Sequence, residues 1–349
     1  MATSVVGIDI GSAALRAVEL ADPAKAKPTL LRYSEVALPE GAVSRGEVME
    51  PNTVANALKQ LWSQGGFKSK DVVLGMGNQR VLARDLTVPK MSLKRIRESL
   101  PFEVQDMLPV PVADALLEFY PISEATGEHG PVVNGLLIAA VKSAVLGNVK
   151  AAELAGLTAV DVDLIPFALN RVLVTRPQIP GTVALLDLGA NTSTVVIAKD
   201  GVPQFVRIIP TGGNDLTEAL RNGLATDTLQ AESIKRTLGL PMGSVAVQDQ
   251  PAAEIIYQVT SELLTSLRNT IHYYGNTRPA HPVQRILLCG GGALLGGFAG
   301  ALAELTRVEV SMGDPFSSVV LARSVNGDAL RGSSSAFTVA LGLALGSTA

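Results

Sequence analysis

"LLDLGANTST", residues 185–194, is the stretch on which the fold turns. An apolar run from Val183 to Leu186 carries straight into Asp187; Gly189 follows, then Asn191, Thr192, Ser193 and Thr194. A near copy opens the chain: "VVGIDIGSAAL", residues 5–15, with Asp9, Gly11 and Ser12 in the same register. A tight turn between two strands gathers several backbone N–H groups at one point, and glycine lets an anion approach that backbone. Ser12, Thr192 and Ser193 add small donors. Two carboxylates beside a polyphosphate repel it unless a cation intervenes, and Mg²⁺ favours carboxylates and water next to phosphate oxygens. Asp9 and Asp187 therefore read as partners of a hydrated Mg²⁺ between two phosphate turns. A single Asp-x-Gly turn is equally what an ordinary hairpin with a polar tip shows. Two of them, each after an apolar strand and each opening a half of the chain, point to a common cause.

The segments around these turns support a duplication. Strands are expected at 5–10, 14–21 and 29–38, the first two as a hairpin. In the second half, "TVALLDLGANTSTVVIAKDGVPQFVRIIPTGG" (182–213) reads as three strands, with Asp200-Gly201 as a hairpin turn. Apolar spacing predicts helices at 51–67, 92–108 (broken by Pro101), 144–157, 166–173, 214–224, 229–239, 251–275 and 298–306. Strands are expected at 71–77 and 80–88, paired across Asn78-Gln79, and at 135–141, 159–165 and 285–292. "ISEATGEHGP" (122–131) reads as a loop, and 36–120 as a small inserted subdomain. The small-residue stretch 334–346 is expected to be a tightly packed helix. The reading is an α/β protein of two duplicated halves around a nucleotide cleft: 1–181 with the 36–120 insert, 182–333, and 334–349 packing back on the first half. The repeat is one domain long, so it is no solenoid.

Bulk properties narrow the function. The chain has 349 residues, 47% hydrophobic and 17% charged, with a net charge of -3. That is a globular composition. It lacks the basic surface of a general nucleic-acid binder, so no nucleic-acid partner is expected. One cysteine, Cys289, excludes an intrachain disulfide framework and fits a reducing compartment. The opening residues lack the pattern of a signal peptide, and no uninterrupted run is long enough for a membrane span. His129, His272 and His281 share no metal-ligand spacing.

Two further stretches belong with the turns. "LLCGGGALLGGF" (287–298) is a strand ending in Gly290, Gly291 and Gly292, where backbone approaches a flat ligand or simply loops into a helix. In "AESIKRTLG" (231–239), Glu232, Lys235 and Arg236 lie at i, i+3 and i+4 and share one helical face, either a ligand face or a solvated one.

Together these elements resemble the actin-type ATPase superfamily. Asp9, Gly11, Ser12 and Ala13 resemble its first phosphate motif, and Arg16 falls where actin carries a phosphate-contacting lysine. Asp187, Gly189, Asn191 and Thr192 resemble the second. Gly212, Gly213 and Asp215 in "TGGNDL" resemble a turn of the heat-shock chaperones. Glu232, Lys235 and Arg236 match their ribose and adenine face, and Gly290, Gly291 and Gly292 the adenosine motif. Within the superfamily the chain resembles the PilM family of type IV pilus assembly over nearly its whole length. "LPEGAVSRGEVMEP" (38–51), "VVLGMGNQRVLARDLTVPKMS" (72–92) and "MGDPF" (312–316) carry that likeness.

The resemblance implies ATP and Mg²⁺ as cofactors. It implies an adaptor that captures the short N-terminal cytoplasmic peptide of a PilN-like membrane protein near 72–120, with pilus assembly ATPases as further partners. The protein would be cytoplasmic, reaching the inner face of the membrane only through partners. Where relatives place a water-orienting Gln or Glu, "DVDLIPFALNR" has Ile165 before Pro166; Asp161 and Asp163 are the nearest catalytic candidates, so hydrolysis is expected to be slow at most. Two other readings stay open: an FtsA-like or MreB-like filament protein, though "VALGLALGSTA" shows no basic amphipathic tail, and a small-molecule kinase.

Overall fold

The computed structural model describes residues 4–346 apart from 242, 244 and 333. The first half opens with β1 (Ser4–Ile10), β2 (Ala14–Ala21) and β3 (Thr29–Ala37), an antiparallel meander in which Asp9 faces Arg16 and Arg16 faces Glu35. A two-residue hairpin, β4 (Val43–Ser44) and β5 (Glu47–Val48), precedes α1 (Pro51–Gly65). That helix buries Val54, Ala57, Leu58 and Leu61 and stops at Gly66, which is left-handed with φ 62°. β6 (Asp71–Met76) then runs parallel to β1. After β7 (Val81–Pro89), α2 (Leu93–Glu103), β8 (Ala115–Gly127) and β9 (Gly130–Val141), the chain returns through α3 (Lys142–Leu154) to β10 (Thr158–Leu164) and α4 (Ile165–Asn170).

The second half repeats the plan. β11 (Thr182–Leu188), β12 (Ser193–Lys199) and β13 (Val202–Ile209) form the second meander, followed by α5 (Gly213–Gly223), α6 (Thr228–Leu238) and α7 (Gln250–Thr277). β14 (Arg285–Cys289), α8 (Phe298–Thr306), β15 (Glu309–Met312), β16 (Val320–Leu321), α9 (Gly327–Gly332) and α10 (Thr338–Ala344) complete the chain. The main sheets are ordered β10-β6-β1-β2-β3-β16 and β13-β12-β11-β14-β15. Each is an antiparallel meander whose first strand pairs on its other edge with a parallel strand, so the duplication read from the two turns is present in the topology.

Packing follows from burial on both sheet faces. α1 and α3 cover the outer face of the first sheet with Val6, Ile8, Val72 and Leu74. The helices after β13 and β14 cover the outer face of the second with Leu186, Val195, Ile256 and Leu288. Between the sheets lie α4 and α10, in one core that joins Val5 and Val18 to Leu185 and Val196. The small-residue stretch is a short turn at 334–337 and then α10. It packs directly on β1: a Cβ on Gly7 would lie 2.1 Å from the Ala340 carbonyl oxygen, and one on Gly342 would lie 2.3 Å from that of Ala168.

The inserted subdomain differs from the expected 36–120. Strands 71–76 and 81–89 are not a pair: β6 is inside the first main sheet, while β7 pairs with β9 in a separate sheet ordered β7-β9-β8. Asn78 explains the corner. Its side chain donates to the Gly46 carbonyl (2.9 Å) and accepts from the Arg80 N–H (2.8 Å), steering the chain out of the main sheet. Segment 36–70 thus belongs to the first half, and the accessory sheet spans 81–141. The expected loop at 122–131 is strand on both sides of a tight turn, with Thr126 facing Pro131 and Gly127 facing Gly130. The run "GLLIAAV" is central in this sheet because both its faces are buried. Leu136 and Ile138 join the core between the main sheets, while Leu137 packs with Val88, Ile96, Leu100 and Phe119 beneath α2.

Candidate functional site

A cavity of about 520 Å³ lies where the ends of β1 and β11 meet. That is the usual size of a small-molecule site. Asp9, Gly11, Ser12, Ala13 and Arg16 line one side, and Asp187, Gly189, Asn191 and Thr192 the other. The two turns are the same object. Gly11 N–H donates to the Ala14 carbonyl (3.1 Å), and Gly189 N–H to that of Thr192 (2.9 Å). A Cβ on either glycine would press on the carbonyl that closes its own turn, at 2.9 Å and 3.0 Å. Ser193 is not a cavity donor: its hydroxyl is spent on the Thr211 carbonyl at 2.7 Å and its side chain is buried.

The carboxylates set the electrostatics. Burial pushes Asp9 up to about 6; Arg16 opposes the shift and Glu35 adds to it. Burial, then the charge of Asp9, pushes Asp187 up to about 6, opposed by the Cys289 thiol and by Arg16. A carboxylate beside a second acid raises that acid in this way, as Asp9 does Asp187. Cys289, opposite Asp187 in the β11–β14 register, places its sulfur 3.6 Å from Asp187 Oδ1. Gly290 is left-handed at φ 83°, and a Cβ there would lie 2.5 Å from Asp187 Oδ1. Any side chain at 290 would therefore displace the acid.

The second turn is bolted to α5. Gly213 N–H donates to the Gly189 carbonyl (3.0 Å) and Asn214 N–H to that of Ala190 (2.7 Å). Gly213 and Asn214 line the cavity, but Gly212 and Asp215 do not. Asp215 accepts from Gly212 N–H at 2.7 Å, so it caps the helix that carries the turn. Glu232, Lys235 and Arg236 do reach the cavity. Glu232 accepts from Arg236 Nε and Thr217 Oγ1, both at 2.8 Å, and pairs with Lys235 Nζ at 2.5 Å. Burial works against its ionisation, yet the Lys235, Arg236 and Thr217 donors outweigh it and hold the carboxyl below its ordinary value. Lys235 also donates to the Gly213 carbonyl (3.1 Å), tying α6 to the turn. Gly290, Gly291 and Gly292 close the far wall.

The catalytic candidates are not in the cavity. Asp163 is committed to Arg171 (2.8 Å), whose Nη1 also donates to the Gly342 carbonyl (2.7 Å) and so pins α10. Asp161 is exposed and accepts from the Val162 N–H. Ile165 lines the wall in their place. Sequence reasoning also missed Gly46, Gly77, Ser335, Ala336 and Val339. The last three come from 334–346, whose small residues signalled close packing but not that their backbone turn closes the site; Ser335 Oγ donates to the Gly290 carbonyl at 3.2 Å. Among the described residues no three His, Cys, Asp or Glu side chains group as a direct metal cage, and no helix is long and apolar enough to cross a membrane.

Two matching sheets, two matching turns and a cavity between them define an actin-like ATPase fold. A structure of MreB 5 of Spiroplasma citri bound to AMPPNP shares it, at TM-score 0.54 and 14% identity, covering 97% of this chain and 94% of that one. FtsA of Bacillus subtilis (strain 168) is 23% identical over 246 residues; the match takes in 64% of this chain and 54% of FtsA, so the chain spans about half of that relative's length. A chain of a solved PilM-PilN type IV pilus biogenesis complex is 29% identical, with TM-score 0.86, covering 99% of this chain and 98% of that one. Residues 7–348 match the family described as Type IV pilus assembly protein PilM, and the chain belongs to that family.

Proposed function

We propose that this chain is an adaptor of type IV pilus assembly that holds Mg-ATP and captures the N-terminal cytoplasmic segment of a PilN-like membrane protein. The nucleotide half rests on one observation: two copies of the same glycine turn face one cavity, each with a partly buried aspartate behind it. Both acids are raised to about 6, and a hydrated cation between them would favour their ionised forms. Bound Mg²⁺ would screen the phosphate charge. The chain's own residues do the rest: Ser12, Thr192 and the N–H groups of both turns other than those of Gly11 and Gly189 meet phosphate oxygens, Arg16 adds a cation, and Gly213, Glu232, Lys235, Arg236 and Gly290–Gly292 shape the nucleoside end. MreB 5 carrying AMPPNP on the same fold supports this reading.

The residues around the site support slow hydrolysis at most. Asp163 is locked to Arg171, Asp161 lies outside the cavity, and Ile165 offers no base. The PilN assignment is supported by the complex containing the similar chain. The segment is assigned to the groove between the first half and the accessory sheet, which would bring the protein to the inner face of the cytoplasmic membrane through its partner. Pilus assembly ATPases are further partners on this reading. Calorimetry with ATP, with and without Mg²⁺, tests the first part; titration with a peptide of the partner's first dozen residues tests the second. Equal binding of ATP in Mg²⁺ and in EDTA would remove the two-aspartate site, and no peptide binding in either nucleotide state would remove the adaptor role.

A further inference from the structure

We infer that Glu35 is a positioning residue for the phosphate end of the cleft, holding Arg16 at the first turn and keeping it off Asp9. This rests on the nucleotide reading above. Asp9, Arg16 and Glu35 stand in one row across three neighbouring strands, Asp9 opposite Arg16 on β1 and β2, and Arg16 opposite Glu35 on β2 and β3. The guanidinium therefore has a carboxylate on each side and is committed to one of them. Its Nε donates to Glu35 Oε2, while its Nη1 stands 3.8 Å from Asp9 Oδ2, beyond hydrogen-bond reach.

The division has a spatial sense. Asp9 and Arg16 line the cavity; Glu35 does not, and its side chain is 44% exposed. The acid that takes the hydrogen bond is outside the site, and the acid inside it keeps only the longer 3.8 Å ion pair. Arg16 Nη1 also lies 3.8 Å from where a Cβ on Gly11 would sit, at the mouth of the turn. A guanidinium gripped through Nε presents its two Nη groups as a fixed fork, the geometry that suits an oxyanion. Without Glu35 the neighbouring acceptor is Asp9. A close Arg16–Asp9 pair would neutralise the carboxylate that a hydrated cation needs and occupy the donors that phosphate needs. The loss falls on Mg²⁺-dependent binding.

The experiment measures Mg-ATP affinity, and ATP affinity in EDTA, for wild type, Glu35→Ala, Glu35→Gln, Arg16→Ala and the Arg16→Ala/Glu35→Ala double variant, with melting in EDTA as the fold control. Losing a charge-assisted hydrogen bond that fixes a binding group predicts a fall on the order of tenfold in Mg-ATP affinity for Glu35→Ala, with more Mg²⁺ needed for half-saturation. Glu35→Gln keeps an oxygen that accepts from Nε and stays within about threefold of wild type. In the Arg16→Ala background, Glu35→Ala adds nothing. Wild-type affinity in Glu35→Ala, an equal loss with and without Arg16, or a Gln variant as impaired as the Ala variant would each overturn the inference while leaving the nucleotide site standing. No Mg-ATP binding by wild type would instead overturn the nucleotide reading itself.

Discussion

Asp187→Asn should make the nucleotide-free protein more stable while abolishing its Mg²⁺-dependent binding. Folding raises the Asp187 pKa from 3.8 to about 6, through burial first and the charge of Asp9 second. The folded state then holds its proton more tightly than the unfolded chain does. Stability accordingly falls as pH rises from about 4 to about 6, and the loss is complete above that window. A shift of roughly two units corresponds to about 3 kcal/mol as an upper bound, reduced by cavity water, so the working range is about 1–3 kcal/mol at pH 7.5. Asparagine removes the ionisation, keeps an oxygen for the Cys289 thiol, and frees Asp9 of its charged neighbour. At ~2–4 °C per kcal/mol the melting temperature in EDTA should rise by several degrees. Saturating Mg-ATP reverses the order: wild type gains about 3 kcal/mol at a hundred times its Kd and the variant gains nothing. Melting curves from pH 4.5 to 7.5, in EDTA and in Mg-ATP, read out both effects. A variant less stable than wild type in EDTA at pH 7.5, or a difference that does not grow between pH 4.5 and 6.5, would refute the electrostatic argument.

Three other perturbations follow from the packing. Gly342→Val forces a side chain into the Ala168 carbonyl and should cost more than the ~1–3 kcal/mol typical of overpacked cores, seen as a large drop in the urea midpoint. In a double-mutant cycle, Asp85→Asn and Arg278→Ala should couple by about 0.5–1 kcal/mol, since Asp85 is 63% exposed, and Arg278→Ala alone should cost more because it also leaves the Tyr274 ring; additive losses in urea would deny the link. Ile165→Glu puts a carboxylate on the cavity wall and should raise phosphate release from ATP by one to two orders of magnitude if a missing base limits turnover. Unchanged release with ATP still bound would place the limit elsewhere.

The two glycine turns are legible in the sequence because their chemistry is local: a strand, an acid, a glycine and small polar residues within ten positions. Glu232, Lys235 and Arg236 became visible through their helical spacing. The accessory sheet is not legible in the sequence because its signals are not local. "GLLIAAV" is apolar on both faces, since each face meets a different core, so period-two alternation could not mark it as a three-stranded sheet's centre. Asn78-Gln79 has hairpin chemistry, but the Asn78 amide is spent on Gly46, 32 residues earlier in the chain. Glu35 shows as one more charge on an amphipathic strand, and only the cross-strand register reveals which guanidinium it restrains. The wall formed by Ser335, Ala336 and Val339 depends on α10 returning across the whole chain to β1.

The accessory sheet leans on both halves at once. Leu136 and Ile138 share a core with Val172 of the first half and Val206 of the second, and Asp85 of β7 meets Arg278, which follows α7, through two 2.8 Å contacts. A hinge joining two bodies swings freely only when nothing else spans it. Here a third body does: β7 lies against β13 of the second half, so a rotation of one half on the other would have to move that contact. The sheet would act on such a rotation as a brake shoe does on a wheel. Whatever bound the shoe from outside would add its own free energy to the rotation, and the rotation would return the same amount to that binding.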